Sequence, residues 1–266
     1  MPNKLQWLAK RSMIAIARSK INRQKSVLDE YSTGWSAMGA YLEHSSTIDD
    51  WLRIKGFEDG AEYCNVDGKL KYEAFDSLAY NRNKILETLR REFPGARSVA
   101  EFGSGVGRNL LFLRRQLPLV EFYGYELCEP GVRIAREAAK KFGLDVHYSQ
   151  LDFVLGREQD YVFPRTDVAF TVYALEQIPI ANKIAMENIL RHVTLGSIHI
   201  EPVPENYPLT IRGLVGRIDH WKVDYLRNYE ANIASLDVAQ IKREKLGYAH
   251  NPLMFPTLYV FRKNNP

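Results

Sequence analysis

The chain has 266 residues, 45% of them hydrophobic, enough to bury a full α/β core and an added cap. No apolar run approaches the ~20 residues that cross a bilayer, and Cys64 and Cys128 are too few for a disulfide frame or a zinc knuckle. The net charge of +4 is unevenly spread: residues 1–25 hold seven basic side chains (Lys4, Lys10, Arg11, Arg18, Lys20, Arg23, Lys25) and no acid, so the remainder is mildly acidic. A positive excess concentrated in a leading arm argues against a large polynucleotide substrate, which calls for positive charge around the site itself.

The arm comes first in chain order. On a helical wheel Leu5, Leu8, Ala9, Met13 and Ile16 share one face, and Trp7, Ile14 and Ile21 make a second stripe. The narrow apolar face, interrupted by Lys20, favours an ordinary first helix packed on the domain, or a frayed terminus. The alternative is a basic amphipathic helix that rests on an anionic membrane or docks on a partner. Met13 to Ala17 is too short for the apolar core of a secretory signal, and the two cysteines read as reduced thiols of a cytoplasmic protein.

Residues 26–95 lack strand–helix alternation and carry Tyr31, Trp35, Tyr41, Trp51, Phe57, Tyr63, Tyr72, Phe75 and Tyr80. They read as a mainly helical cap, whose last helix spans Ser77–Arg91 and stops at the Pro94-Gly95 turn. The aromatics suit a small helical core; the functional alternative is a lid that folds over a ligand and excludes water.

From residue 96 onward strands and helices alternate. Strands are expected at Ala96–Phe102, Val120–Glu126, Val146–Ser149, Asp167–Tyr173 and Leu195–Glu201. Helices are expected at Val106–Gln116, Pro130–Phe142 and Ile180–His192. This order predicts an α/β fold with a parallel sheet wound on both faces. Gln240–Tyr248 and Thr257–Arg262 then read as two strands joined without a helix. The division predicted is a cap with a basic leading arm over 1–95 and a catalytic domain over 96–266.

The stretch Ser98-Val-Ala-Glu101-Phe-Gly103-Ser-Gly105-Val-Gly107-Arg-Asn-Leu110 runs from a strand through a tight glycine turn into a helix. Glycines at alternate positions allow left-handed backbone and close approach to a ligand, and the helix start presents amide groups and a favourable dipole. Glu126 closes the next strand about twenty residues later, where a carboxylate suits the hydroxyls of a ribose. A nucleoside cofactor is implied. The spacing is E-x-G-x-G-x-G rather than the G-x-G-x-x-G of dinucleotide enzymes, and no G-K-[ST] follows to make a phosphate loop.

In this motif, and in the strand order from Ser98 to Lys263, the chain resembles the class I S-adenosylmethionine-dependent methyltransferases. The resemblance implies a Rossmann-like, seven-stranded, doubly wound sheet whose last two strands form a hairpin, with one strand antiparallel. It implies S-adenosylmethionine as cofactor, with Glu101, Gly103, Ser104, Gly105 and Gly107 as the bed for its methionine portion and ribose. Glu126 would hold the ribose, Leu127 would pack on adenine, and Asp152 would meet the adenine amine unless it is a plain helix cap. Tyr173 would sit where cofactor and substrate meet, while Tyr72 and Arg82, in the cap, would reach the cofactor and its carboxylate.

The segment Tyr173-Ala-Leu-Glu176-Gln177-Ile178-Pro179 resembles that of small-molecule methyltransferases and lacks the [DN]-P-P-[YFW] of base methylases. The acceptor expected is therefore an O or N atom of a small or medium-sized metabolite. A protein or RNA methyltransferase gripping its polymer with the basic arm, and a non-catalytic cofactor-binding subunit, are the alternatives. Catalytic candidates are His199 and Glu201 at the end of the fifth strand, and His220 further on, histidine being a base that titrates near neutrality. Each of the three is equally consistent with a structural role, and for His199 a hydrogen-bonded core histidine is the simpler reading. No metal site is expected, since no tight ligand spacing occurs.

Overall fold

The structure, a computed structural model, describes residues 3–53, 61–155 and 164–264. The chain opens with helices α1 (Lys4–Ala17), α2 (Arg23–His44) and α3 (Ile48–Leu52), followed by the hairpin β1 (Glu62–Val66) and β2 (Lys69–Glu73), then α4 (Ser77–Glu92). Next come β3 (Ser98–Phe102), α5 (Arg108–Gln116), β4 (Glu121–Glu126), α6 (Glu129–Lys141), β5 (His147–Gln150), β6 (Thr166–Val172), α7 (Asn182–Arg191) and β7 (Val193–Pro202). The remainder is α8 (Ile211–Lys222), α9 (Tyr229–Ile233), β8 (Val238–Lys245) and β9 (Pro256–Lys263).

Seven strands make one sheet in the order β5-β4-β3-β6-β7-β9-β8. The first five pair in parallel, and β9 lies antiparallel between β7 and β8. Each strand expected from the sequence falls in this sheet. The strand period of two sends alternate side chains to opposite faces. On β9, Leu258 and Val260 join the core beneath α4, α5 and α6, with Ile85, Leu110 and Ile134. Tyr259 and Phe261 join the other core, with Met186 and Ile189 of α7 and Tyr229 of α9. Both faces are therefore dry, as a parallel sheet requires.

The segment before the sheet is less uniformly helical than expected. Asp67 and Gly68, with φ of 55° and 69°, turn the chain between β1 and β2; such an Asp-Gly pair flanked by alternating residues is a hairpin signal. Asn65 bridges to Ala249, which fastens the hairpin to the loop between β8 and β9. Tyr72 is part of this hairpin, its ring edge-on to Tyr63. Of the aromatics named above, Phe57 lies outside the described residues. Helices α8 and α9 fill the stretch between β7 and β8, for which no element was expected.

The sheet leaves no room at Gly196, where β7 meets β9. A Cβ there would collide with the backbone carbonyl of Phe261. Gly196→Ala should lower stability by about 1–3 kcal/mol, the usual cost of overpacking, seen as an earlier denaturant midpoint with unchanged slope. An unchanged midpoint would contradict the packing described.

Candidate active site

The turn after β3 is fixed by the end of β4. Gly103 and Ser104 donate their amides to the Tyr125 carbonyl at 2.7 and 3.0 Å. The Gly105 amide donates to Glu126 Oε2 at 2.8 Å, and the Cys128 amide donates to Glu126 Oε1 at 3.1 Å. Gly103, Gly105 and Gly107 all have positive φ, 78°, 53° and 79°, so a side chain is strained at each. Close contact adds to this: a Cβ on Gly103 would strike Ala174, and one on Gly105 would lie 2.9 Å from the Trp35 ring.

Above this turn lies a cavity of about 580 Å³ at the carboxyl ends of β3, β4 and β6, where open α/β sheets bind ligands. Glu101, Gly103, Ser104, Gly105, Glu126, Leu127, Asp152 and Tyr173 all line it. Glu101 Oε1 accepts from Asn109 Nδ2 at 2.7 Å, whereas Glu101 Oε2 and Ser104 Oγ, both buried, find no hydrogen-bond partner among the described residues. Buried polar atoms without partners mark a place for a polar ligand. Burial raises the Glu101 carboxyl well above its ordinary range and raises Glu126 as well, against the pull of the Cys128 and Gly105 amides. A cationic ligand group beside Glu101 would reverse that shift. Asp152 Oδ1 accepts from the Val154 and Leu155 amides, which caps the turn and leaves its other oxygen for a ligand. Tyr173 holds φ of 55°, a strained value for a bulky residue and one characteristic of functional sites.

No protein-family model matches the chain, and no curated protein is similar to it in sequence. Solved structures do resemble it. The [4+2]-cyclase SpnF superposes with a TM-score of 0.61 at 14% identity, over 94% of this chain and 98% of its own. Magnesium protoporphyrin IX methyltransferase from Synechocystis PCC 6803, solved with S-adenosylmethionine bound, gives 0.59 at 10% identity over 92% and 98%. The plantazolicin methyltransferase BpumL, in complex with S-adenosylhomocysteine, gives 0.53 at 11% identity over 90% and 99%. The fold is that of the class I methyltransferases.

Within this methyltransferase fold, six of the expected site residues lie off the cavity wall. Gly107 begins α5 as a left-handed cap and touches Tyr148. Tyr72 belongs to the hairpin. Arg82 is buried behind the wall, its guanidinium 5.7 Å from the Phe112 ring and 3.9 Å from Asp76.

The three catalytic candidates are corrected outright. His199 is fully buried in β7 between Thr171 Oγ1, 2.9 Å from Nδ1, and Ser197 Oγ, 2.8 Å from Nε2, and burial drives its pKa down to about 3. His220 is buried on α8 against the Leu226 carbonyl, 2.8 Å from Nε2, with its pKa lowered by burial to about 4. Neither is positioned or poised to take a proton from a cavity ligand. Glu201 spends its oxygens on four donors: the Thr171 hydroxyl and the amides of Ala174, Leu175 and Glu176, at 2.7–3.2 Å. It shapes the loop after β6. Burial pushes its pKa up to about 7 in spite of those donors.

The cavity draws more from outside the motif than the glycine turn suggests. Tyr31 and Trp35 of α2 form part of its wall, as do Leu78 of α4 and Ile178 and Ile180 after β6. Arg108, the first residue of α5, also lines it. The Arg108 guanidinium lies 4.8 Å from the Trp51 ring and 5.1 Å from the Tyr41 ring, with Nε and Nη2 buried and unpartnered among the described residues. Burial lowers its pKa to about 10, so it stays cationic at neutral pH. Its signal in the sequence is a basic residue at the helix start that the glycine run precedes.

A histidine held neutral makes a pH prediction. Its folded pKa is depressed, so the stability that it contributes is present above its unfolded pKa of 6.5 and is lost as pH falls toward 3. The advantage of the wild type over His199→Asn should therefore narrow by about 2 kcal/mol between pH 7 and pH 5, measured by chemical denaturation. A constant difference would show that His199 is already charged or exposed.

Proposed function

We propose that the protein is a cytoplasmic S-adenosylmethionine-dependent methyltransferase that acts on an O or N atom of a small or medium-sized, largely apolar metabolite. The observation that carries this reading is the pairing of Glu101 Oε2 and Ser104 Oγ, unpartnered, with Glu126 around one glycine-lined cavity. Those residues fit the cofactor: a buried carboxylate suits an ammonium group, Glu126 suits vicinal hydroxyls, and Leu127 with Asp152 suits a base edge. The buried, cationic Arg108 suits the amino-acid carboxylate. In this reading residues 96–266 form the catalytic part and residues 1–95 the cap.

The cofactor supplies a sulfonium methyl that is already activated. The chain's own task is then to hold an acceptor in line and to exclude water, which accounts for up to ~7–11 kcal/mol of barrier reduction in favourable cases. The cap performs this task with apolar side chains, Val27, Leu28 and Met38 of α2 among them. Burial raises the pKa values of Tyr31 and Tyr173, so both phenols remain protonated and orient an acceptor by donating hydrogen bonds. Among the described residues no histidine lines the cavity, and positioning is the contribution that the lining side chains support. The two buried free thiols agree with a reducing compartment.

The likeness to a [4+2]-cyclase makes cofactor binding and methyl transfer separate questions. Calorimetry should detect S-adenosylhomocysteine binding, with Glu126→Ala and Arg108→Ala each weakening it at least about ten-fold, the loss of a charge-assisted hydrogen bond. Transfer of labelled methyl groups to extracted small apolar metabolites should be seen with the wild type. Unchanged affinity in both variants would overturn the placement of the cofactor; binding without transfer to any acceptor would overturn methylation alone.

A further inference from the structure

The face that α1 and α8 turn away from the protein is apolar and rimmed by cations. The two helices lie side by side. Ala15 packs with Val215 and Leu253, Arg18 pairs with Asp219 at 3.2 Å, and the Ile21 amide donates to the Lys222 carbonyl at 2.8 Å. With those residues turned inward, the helical period turns others out. On α8, Ile211, Leu214, Ile218 and Trp221 recur at three- and four-residue steps as one stripe, exposed by 73%, 47%, 38% and 49%. On α1 the stripe expected to pack on the domain points to solvent instead: Leu5, Met13 and Ile16 are 77%, 64% and 55% exposed. Single exposed leucines are ordinary, but two adjacent helices that both face outward with large apolar side chains mark an interaction surface.

Charge decides what it meets. Residues 1–25 carry no acid, and the single acid of α8, Asp219, is engaged by Arg18. Lys4 and Lys10 flank the α1 stripe, and the Lys20 and Lys222 ammonium groups lie 4.5 and 5.7 Å from the Trp221 ring. An amphipathic indole bracketed by lysines at the edge of an apolar stripe matches the water–hydrocarbon boundary of a bilayer. The excess of cations selects negatively charged headgroups.

We propose that the α1–α8 face seats this protein on an anionic lipid surface. The apolar stripes enter the acyl boundary, the lysines meet the headgroups, and the protein lies on the membrane rather than across it. Among the described residues no helix is long and apolar enough to span it. None of the face residues named here lines the cavity, so this inference stands or falls separately from the cofactor reading.

The test is flotation of the full chain with vesicles of phosphatidylcholine alone and of phosphatidylcholine mixed with phosphatidylglycerol. The wild type should float only with the anionic vesicles, and less at higher salt. Leu214→Glu with Ile218→Glu, Met13→Glu with Ile16→Glu, and Lys4→Glu with Lys10→Glu should each reduce binding at least about ten-fold. These positions are exposed, and an unchanged thermal midpoint confirms that each variant is folded. Absence of flotation with anionic vesicles, or variants that bind like the wild type, would overturn the proposal. A concentration-dependent dimer in sedimentation that the Leu214→Glu, Ile218→Glu pair abolishes, without vesicle binding, would assign the face to self-association instead.

Discussion

The architecture of the site depends on one buried carboxylate. Glu126 closes β4 and takes one amide from each side, Gly105 on its left-handed turn and Cys128 at the cap of α6. That clasp ties the β3–α5 turn to the next strand and sets the floor of the cavity. It works only because glycines stand at its closest approaches: a Cβ at Gly105 in the turn would press on Trp35, and one at Gly131 of α6 would lie 2.9 Å from Glu126 Cγ. Helix α2, turn and carboxylate are therefore one packed unit, in which α2 lies on α6 close enough for Trp35 to reach the glycines.

A second buried carboxylate holds the opposite wall. Glu201 gathers the amides of three successive residues after β6 and the Thr171 hydroxyl. Because Thr171 gives its proton to Glu201, its oxygen accepts from His199 Nδ1–H, and Ser197 donates to His199 Nε2. The neutral tautomer follows from this chain of donors, and burial keeps it neutral. The result is a fixed loop that brings Ala174 up against Gly103. Residues with the right chemistry for catalysis are here used for construction.

Much of this was legible in the sequence, for physical reasons. Strand–helix alternation marked the sheet, and the glycine spacing marked the turn, since both are local patterns. The antiparallel β9 came from the family resemblance and not from periodicity. What the sequence did not disclose was non-local. Whether His199 points into a cavity or into the second core depends on register across β6, β7 and β9. The Asp67-Gly68 turn was a readable hairpin signal, obscured by the aromatics around it, and it moved Tyr72 away from the pocket. Arg108 stood inside the motif, but its burial beside the cavity depends on Tyr41 and Trp51, which close over it. The outward stripe of α1 depended on α8, whose place no local pattern in the arm records.

The most direct test of the account is a crystal structure with S-adenosylhomocysteine. Ribose hydroxyls are expected on Glu126, the amino-acid end between Glu101 and Arg108, and the sulfur facing the cleft beside Tyr173. Density for the ligand elsewhere, or a Trp35 ring that fills the hollow above Gly105 and bars entry, would contradict it.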